Sequence, residues 1–169
     1  MTENGFIVAL EGLNTLKKLG VIIDYAVGGG IATLRYTEPF FTNDLDIFII
    51  LPPTNRKLID ITPVSGFFVS KGHVWYKEHV IIEGTPVQFL VADQLEAEAV
   101  RMAPRRKFLG VWTKVFSPEY LVAIMVRVGR PKDRQRLHLL LEQTKINNDV
   151  LGDILSRYNL EQKYRESIE

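Results

Sequence analysis

Hydrophobic spacing in the first third of the chain changes from a helical period to strand-like runs. Apolar residues recur every three or four positions from Phe6 to Leu19 and stop at Gly20, which predicts an amphipathic helix closed by a glycine. Val21 to Val27 is mostly apolar and has the length of a strand. Leu45 to Leu51 is almost wholly apolar, as expected for a strand that is buried on both faces. Between the two strands lie three glycines and a short, weakly helical stretch, Ile31 to Tyr36.

The middle of the chain combines short apolar runs with turn residues. The stretch from Asn55 to Phe68 predicts a helix that is interrupted near Pro63. Three short strands are expected next, the last two forming a hairpin, at Val74–Tyr76, His79–Ile82 and Pro86–Val91. After them we expect an acidic helical turn or two, a basic loop and one more strand, at Asp93–Val100, Arg101–Lys107 and Val111–Phe116.

Helix signals dominate the last third. Ser117-Pro118-Glu119 combines an N-cap serine, a proline at the first helical position and an acid near the positive end of the dipole, so a helix should start there and end at Val128. Two further helices are predicted over Lys132–Gln143 and Asp149–Tyr158, and the polar tail after Leu160 is expected to fray. The order of elements predicts an α+β fold with a mixed sheet flanked by helices.

Length and composition favour one compact unit of 169 residues, with a core over residues 1–116 and a helical segment over residues 117–169 packed on it. The chain has no cysteine, which excludes disulfide, thiol-redox and zinc-ribbon sites, and its net charge of +1 gives no overall attraction to nucleic acid. The N-terminus lacks the features of a signal peptide, and no apolar run reaches the roughly 18–20 residues that span a bilayer. We therefore expect a soluble, cytoplasmic protein.

Candidate chemistry is concentrated between Tyr25 and Ile50. Gly28 and Gly29 remove side chains at the end of a predicted strand, where backbone N–H groups can face phosphate oxygens. Asp44 and Asp46 are two residues apart, so on a strand their carboxylates share a face and can bind Mg²⁺ together with substrate phosphates. The pattern predicts a metal–triphosphate site for phosphoryl or nucleotidyl transfer.

Each candidate also has a structural alternative. Thr42-Asn43-Asp44 fits an ordinary turn, although an aspartate leading into an apolar strand needs a partner. Lys132 is a candidate to bind a triphosphate as a point charge, or else a solvated lysine. The basic residues Arg101, Arg105, Arg106 and Lys107 fit a solvated charge run or a contact with a nucleic-acid or nucleotide acceptor.

Other side chains are expected to be structural. His73, His79 and His138 lack the spacing of metal ligands and fit ordinary surface or partly buried histidines. Trp75 and Trp112 are expected in the core, because they lack the repeated spacing of a stacking platform. The sequence contains no P-loop, dinucleotide-binding or nucleophile-elbow motif.

The glycines and aspartates resemble a known signature. Val27-Gly28-Gly29, followed after a short helix and a loop by Thr42-Asn43-Asp44-Leu45-Asp46, is similar to the signature of the DNA polymerase beta-type nucleotidyltransferase superfamily. The resemblance is closer to its small prokaryotic members, the minimal nucleotidyltransferases and the abortive-infection toxin type. Ser117–Leu141, with its run Arg130-Pro131-Lys132-Asp133-Arg134, resembles the segment that those proteins carry after the core.

This resemblance implies the nucleotidyltransferase fold and a set of residue roles. Asp44 and Asp46 would be the catalytic ligands of Mg²⁺. Gly28 and Gly29 would contact the phosphates of a nucleoside triphosphate, with Gly29 standing where many members of the superfamily have serine.

One position departs from the superfamily pattern. Many active members place a third carboxylate on a later strand, whereas Thr85–Leu90 carries Gln88 there. An amide is a poor metal ligand beside a carboxylate and cannot act as a general base. Either another acid, Glu83 or Asp93, takes its place, or the transfer chemistry is weak or lost. Two hypotheses follow. One is transfer of a nucleotide from an Mg-bound triphosphate to an unknown protein, RNA or small-molecule acceptor. The other is a non-catalytic nucleotide-binding protein or toxin–antitoxin partner. A homodimer formed through the C-terminal helices is a third option.

Overall fold

A five-stranded mixed sheet organises the computed structural model, which describes residues 1–54 and 59–169. In chain order its strands are β1 (Asp24–Val27), β2 (Leu45–Ile50), β3 (Val74–Tyr76), β4 (His79–Ile82) and β5 (Thr85–Val91). They lie side by side in the order β1-β2-β5-β4-β3. β2 and β5 are parallel and the other neighbouring pairs are antiparallel, so the N-terminal ends of the two central strands lie next to each other.

Helices flank this sheet, and their ends follow from local sequence. They are α1 (Glu3–Lys18), α2 (Gly29–Thr33), α3 (Thr62–Val69), α4 (Gln94–Met102), α5 (Pro118–Val128), α6 (Pro131–Gln143), α7 (Asn148–Arg157) and α8 (Glu161–Ile168). The Thr2 hydroxyl accepts a hydrogen bond from the Gly5 N–H at 3.0 Å and so caps α1. The Asp93 carboxylate caps α4 in the same way, accepting from the Leu95 N–H at 3.0 Å. Among the described residues, no helix is long and apolar enough to cross a bilayer.

A second, two-stranded sheet lies beside the first. It is the hairpin of β6 (Arg105–Phe108) and β7 (Val111–Lys114), and it meets the end of β1 through a parallel bridge between Val27 and Val115. The hairpin therefore lies next to the C-terminal end of β1, at the edge of the main sheet.

The two faces of β2 have different surroundings. Leu45, Ile47 and Ile49 are fully buried, whereas Asp46 and Phe48 alternate with them on the opposite, half-buried face. The register places Asp46 directly opposite Gln88 of β5, and it places Ile47 opposite the last residue of β1, Val27. The end of β1 and the start of β2 therefore meet at one edge of the sheet.

The last three helices, α6, α7 and α8, pack against α5. Its side chains Leu121, Val122, Ala123 and Val126 are buried, and α5 contacts α2, α4, α6, α7 and α8. Gly129 ends α5 in the left-handed conformation with φ 71°, and Pro131 starts α6 two residues later. This sharp turn brings the first residues of α6 close to the start of β2.

Most of the predicted elements are present. The α+β class and a mixed sheet flanked by helices are confirmed, and Val74–Tyr76 and His79–Ile82 form strands with the predicted bounds. The strand predicted from Val21 starts only at Asp24, because the residues before it form the turn after α1. The division into residues 1–116 and 117–169 stays a prediction.

Three predictions were wrong. The expected basic loop Arg101–Lys107 is the end of α4, which carries Arg101, followed by β6, where Arg105, Arg106 and Lys107 lie on a solvent-exposed strand of the small hairpin. The tail after Leu160 is the helix α8, anchored because Leu160 is buried and Tyr164 packs against the core. Trp75 and Trp112 are not core residues: their exposed fractions are 47% and 53%, because each lies on a short strand at the edge of its sheet.

The helix predicted over Asn55–Phe68 is confirmed only in its second half. Residues 55–58 lie outside the described part of the chain. From Thr62 to Val69 the helix α3 is present, and Pro63 lies in its first turn, so this proline starts the helix rather than interrupting it.

Candidate functional site

Glycines bring the end of β1 into contact with the start of β2. The Gly28 N–H donates to the Asp46 carbonyl oxygen at 3.0 Å, which ties the turn into α2 to β2. Gly29 has φ 55°, and a Cβ at this position would lie 1.7 Å from Asp46 Oδ2. The carboxylate of Asp46 therefore lies directly against the bare backbone of Gly29. Only glycine fits both this close approach and the left-handed backbone.

Asp46 is a carboxylate in an unfavourable environment for its charge. Its pKa is raised to about 6, first by burial and then by the neighbouring charge of Asp44. The positive charges of Lys132, Arg136 and Arg130 lower its pKa and so oppose part of this shift. A cation bound at Asp46 would stabilise the ionised form.

Asp44 lies just before β2 and has a different neighbour. Its Oδ2 atom is 3.5 Å from Nε2 of His79, the first residue of β4. Both side chains are largely shielded from solvent, with exposed fractions of 23% for Asp44 and 17% for His79. His79 therefore belongs to the site, although the sequence suggested an ordinary histidine.

A cleft of about 260 Å³ opens over Asp46 between the sheet and helices α5 and α6. Its apolar wall comes from α5 and the strands, and includes Phe48, Phe116, Leu121, Ile124 and Met125. Its polar side chains are Asp46, Gln88, Glu96, Arg130, Asp133 and Arg136. A cleft that combines an apolar wall with a few converging polar groups is typical of a small-molecule site.

The start of α6 holds the cations of the cleft in place. Asp133 is buried and accepts hydrogen bonds from the Arg130 backbone N–H at 3.3 Å and from its Nε at 2.7 Å. The guanidinium of Arg136 lies 5.1 Å from the centre of the Phe40 ring, in cation–π range. Lys132 is exposed at the same helix start. Asp133 thus positions Arg130, and it also lies in the first turn of α6, where a negative charge interacts favourably with the helix dipole.

Glu96 is the further acid in this cleft. It is 7% exposed, and its Oε1 accepts a hydrogen bond from the Arg127 guanidinium. Within the described part of the chain, its Oε2 has no hydrogen-bond partner, and the same holds for the hydroxyl of buried Thr42. A Cβ on Gly30 would lie 2.5 Å from that hydroxyl, so Thr42 contacts the same glycine turn.

Comparison with solved structures gives this arrangement its context. An antigenic nucleotidyltransferase-like protein from Paracoccidioides brasiliensis matches with a TM-score of 0.56 and 17% identity over 98% of this chain and 85% of that one. The antibiotic-resistance factor ANT(2'')-Ia in solution matches with a TM-score of 0.54 and 12% identity over 98% and 97% of the two chains. The crystal structure of ANT(2'')-Ia in complex with adenylyl-2''-tobramycin matches with a TM-score of 0.50 and 15% identity over 93% of this chain and 99% of that one.

The chain has the nucleotidyltransferase fold. At these identities the similarity establishes the fold alone. No model of a known protein family matches the sequence, and no curated protein is significantly similar to it.

Within the nucleotidyltransferase fold, the donor set at the start of β2 fits a divalent cation that shares a phosphate. Asp44 and Asp46 would hold the ion, because carboxylate oxygens suit Mg²⁺, and the missing Cβ of Gly29 leaves the space that the Asp46 carboxylate occupies. No three histidine or acidic side chains of residues 1–54 and 59–169 are placed to hold a metal ion together. Substrate oxygens would therefore complete the coordination, as is usual for Mg²⁺.

Gln88 is the amide at the position where the resemblance implies a third carboxylate. Gln88 lies directly opposite Asp46 on the parallel neighbour strand and lines the cleft, as the sequence suggested. Glu83 and Asp93, the two acids that could replace the third carboxylate, make other contacts. Glu83 accepts a hydrogen bond from the Asn4 amide at 3.3 Å, and Asp93 caps α4 and pairs with Arg127 at 2.8 Å.

Sequence reasoning missed four residues of the site: His79, Glu96, Arg130 and Arg136. The two arginines had a visible signal, since they flank Lys132 in the basic run at the start of α6. His79 and Glu96 had none, because their proximity to the cleft depends on strand register and on the packing of α4.

Proposed function

We propose that this protein binds a nucleoside triphosphate with Mg²⁺ and transfers its nucleotidyl group to an acceptor. The observation that carries the proposal is the buried carboxylate of Asp46, which lies against Gly29 and faces three cations of α6. In the proposed complex, Asp44 and Asp46 bind the metal and the Gly28-Gly29 turn contacts phosphate. Lys132, together with Arg130 and Arg136, offsets the charge of the triphosphate.

The reaction would be an in-line displacement at the α-phosphorus. The oxygen of an acceptor hydroxyl forms a bond to this phosphorus and its proton passes to solvent. The bond from the phosphorus to the bridging oxygen of the β-phosphate breaks, and pyrophosphate leaves with the negative charge. A bound Mg²⁺ supplies charge neutralisation at the phosphate oxygens. Arg130 and Arg136 are held by Asp133 and Phe40 respectively, so their positive charges are positioned before the substrate arrives.

Isothermal titration of ATP, GTP, CTP and UTP in the presence of Mg²⁺ tests the binding step. We expect Asp44→Ala and Asp46→Ala each to weaken the affinity for the preferred triphosphate by about tenfold or more, as loss of a metal ligand does. Asp149→Ala, which removes an exposed acid on α7, is the matched control and should bind like wild type. Equal affinities in wild type and both site variants would refute the proposed metal site.

A second candidate function is nucleotide binding without transfer, as a sensor or as one partner of a toxin–antitoxin pair. Gln88 supports it, because an amide opposite Asp46 supplies neither a metal-binding carboxylate nor a base. Incubation with labelled triphosphates and a cell extract separates the two candidates. Mg²⁺-dependent incorporation of label that is lost in Asp46→Asn excludes this second candidate.

The acceptor class is the open part of the proposal. ANT(2'')-Ia has been solved with adenylyl-2''-tobramycin, a nucleotidylated small molecule. For the present chain a protein, an RNA and a small molecule all offer the nucleophile that the reaction needs. The label-transfer experiment identifies the class, because the labelled product can be separated by size and by sensitivity to protease or ribonuclease.

A further inference from the structure

The hairpin of β6 and β7 has a side that packs on the core and a side that faces outward. On the packed side, the centre of the Phe108 ring lies 5.6 Å from that of Phe6, and Thr113 is buried. Because residues alternate between the two sides of a strand, the register assigns the remaining two opposed pairs to the outward side. These four residues are three cations and one indole: Arg105 with Lys114, and Lys107 with Trp112.

A groove of about 950 Å³ lies between this outward side and the C-terminal half of α1. The two walls are joined through Asn14 of α1, whose amide donates to the Trp112 carbonyl oxygen at 3.0 Å and accepts from the Tyr25 hydroxyl at 2.9 Å. Four of the side chains that line the groove are cations: Lys17, Lys18, Arg105 and Lys114. Among the described residues, the groove shares no lining side chain with the cleft at Asp46, so the two are separate sites.

Positive charge is concentrated around this groove. Asp24 pairs with two lysines at once, at 2.6 Å from Lys17 and 2.8 Å from Lys114, so it offsets only one of their charges. The groove and its rim on α4 and β6 hold two acidic side chains, Glu11 and Asp24, and seven basic ones: Lys17, Lys18, Arg101, Arg105, Arg106, Lys107 and Lys114. This is an excess of five positive charges in a chain whose net charge is +1, so the surface attracts polyanions although the chain as a whole does not.

Trp112 adds an apolar, planar surface to the basic groove. Its exposed fraction is 53%, and the Arg105 guanidinium lies 5.4 Å from the centre of its ring. An acidic peptide would leave the indole in water, whereas an unpaired base stacks on an aromatic ring while its phosphates contact neighbouring cations. Glu11 also lines the groove, and its carboxylate can accept a hydrogen bond from a ribose 2′-hydroxyl, a donor that deoxyribose lacks.

We infer that this groove binds single-stranded RNA, with one base stacked on Trp112 and the phosphates on the cations of α1 and the hairpin. A duplex does not meet this requirement, because its bases stack on one another and offer no free face to the indole. Binding should be independent of base sequence, since every base has a ring face. The inference does not require nucleotidyl transfer, because the groove and the cleft at Asp46 are separate sites.

Fluorescence anisotropy of a labelled oligouridine of about 12 nucleotides tests the inference, in buffer without Mg²⁺ or nucleoside triphosphate. Trp112→Ala should weaken binding by about tenfold or more, whereas Trp75→Ala, at a similarly exposed indole on β3, should bind like wild type. Lys107→Gln should reduce the slope of log affinity against log salt concentration by about 0.7, the value for one phosphate contact on a single strand. The control Lys145→Gln, at an exposed position between α6 and α7, should leave this slope unchanged.

Several results would overturn the inference. They are absence of binding at low salt, equal affinity for duplex RNA, for oligothymidine DNA or for polyglutamate, wild-type affinity in Trp112→Ala, and a wild-type salt slope in Lys107→Gln. Urea unfolding of each variant shows that it is folded, and we expect unchanged midpoints because both side chains are exposed. Since the mixture contains neither metal nor triphosphate, these results leave the proposed function to its own test.

Discussion

Substitution of Gly29 by alanine probes the contact on which the site depends. Gly29 has φ 55°, and an alanine in the left-handed region costs about 1–2 kcal/mol of folding free energy. The new Cβ would also lie 1.7 Å from Asp46 Oδ2, so the carboxylate must move, at a further cost of about 1–3 kcal/mol for an overpacked position. The expected loss in the free energy of unfolding is therefore about 2–5 kcal/mol.

Gly20 provides a matched control for the backbone contribution. It has a similar φ of 70°, but a Cβ there would meet no heavy atom of the described residues within 4 Å. Gly20→Ala should therefore lose only the backbone cost of about 1–2 kcal/mol and should bind an Mg-bound triphosphate like wild type. Gly29→Ala should lose more stability and bind the triphosphate about tenfold or more weakly, because Asp46 is displaced.

Urea denaturation and isothermal titration at neutral pH give the two quantities for each variant. The reasoning is refuted if Gly29→Ala and Gly20→Ala lose the same stability and if both retain wild-type affinity for the triphosphate. In that case the contact between Gly29 and Asp46 would have no role in placing the carboxylate.

Three further predictions concern charges at and away from the cleft. The folded-state pKa of Asp46 is raised to about 6, so the free energy of unfolding of the metal-free protein should increase as pH falls from above 6 towards 4. Asp46→Asn should remove this pH dependence. At pH 7 it should also raise the free energy of unfolding, measured by thermal or urea unfolding, by about 1–3 kcal/mol. Arg136→Ala should weaken triphosphate binding in titrations by about tenfold, because a charged hydrogen-bond donor is lost, whereas the exposed Arg134→Ala should not. The hydrogen bonds from Arg157 lower the pKa of Glu98 to about 2. The stability that they supply should therefore be complete above pH 4.5 and decline as pH falls towards 2. In Glu98→Gln the loss of unfolding free energy over this acid range should be smaller by about 1 kcal/mol.

The sequence predicted those parts of the site that depend on neighbouring elements. Gly28 and Gly29 end one strand and Asp46 starts the next, so an antiparallel pairing of adjacent strands brings them together without any long-range information. The resemblance to the superfamily placed Gln88 where a third carboxylate would stand, and the strand register puts it directly opposite Asp46.

The residues that the sequence did not reveal depend on register and tertiary packing. A shift of one residue between β4 and β5 would turn His79 to the other face, and no local signal fixes that register. Glu96 is one of several acids in the α4 segment, and only packing against Arg127 and β2 shows that it is the buried one. Trp75 and Trp112 were expected in the core because they lack the spacing of a stacking platform, and that criterion carries no information about which strands lie at a sheet edge.

The central claim is that Asp44 and Asp46 bind a triphosphate through a divalent cation. Anomalous diffraction from crystals grown with Mn²⁺ and a non-hydrolysable nucleoside triphosphate analogue tests it most directly. The account predicts an anomalous peak within about 2.6 Å of a carboxylate oxygen from each aspartate, with the phosphates against the Gly28-Gly29 turn. A triphosphate bound elsewhere, or bound in the cleft with no metal at the two carboxylates, would contradict it.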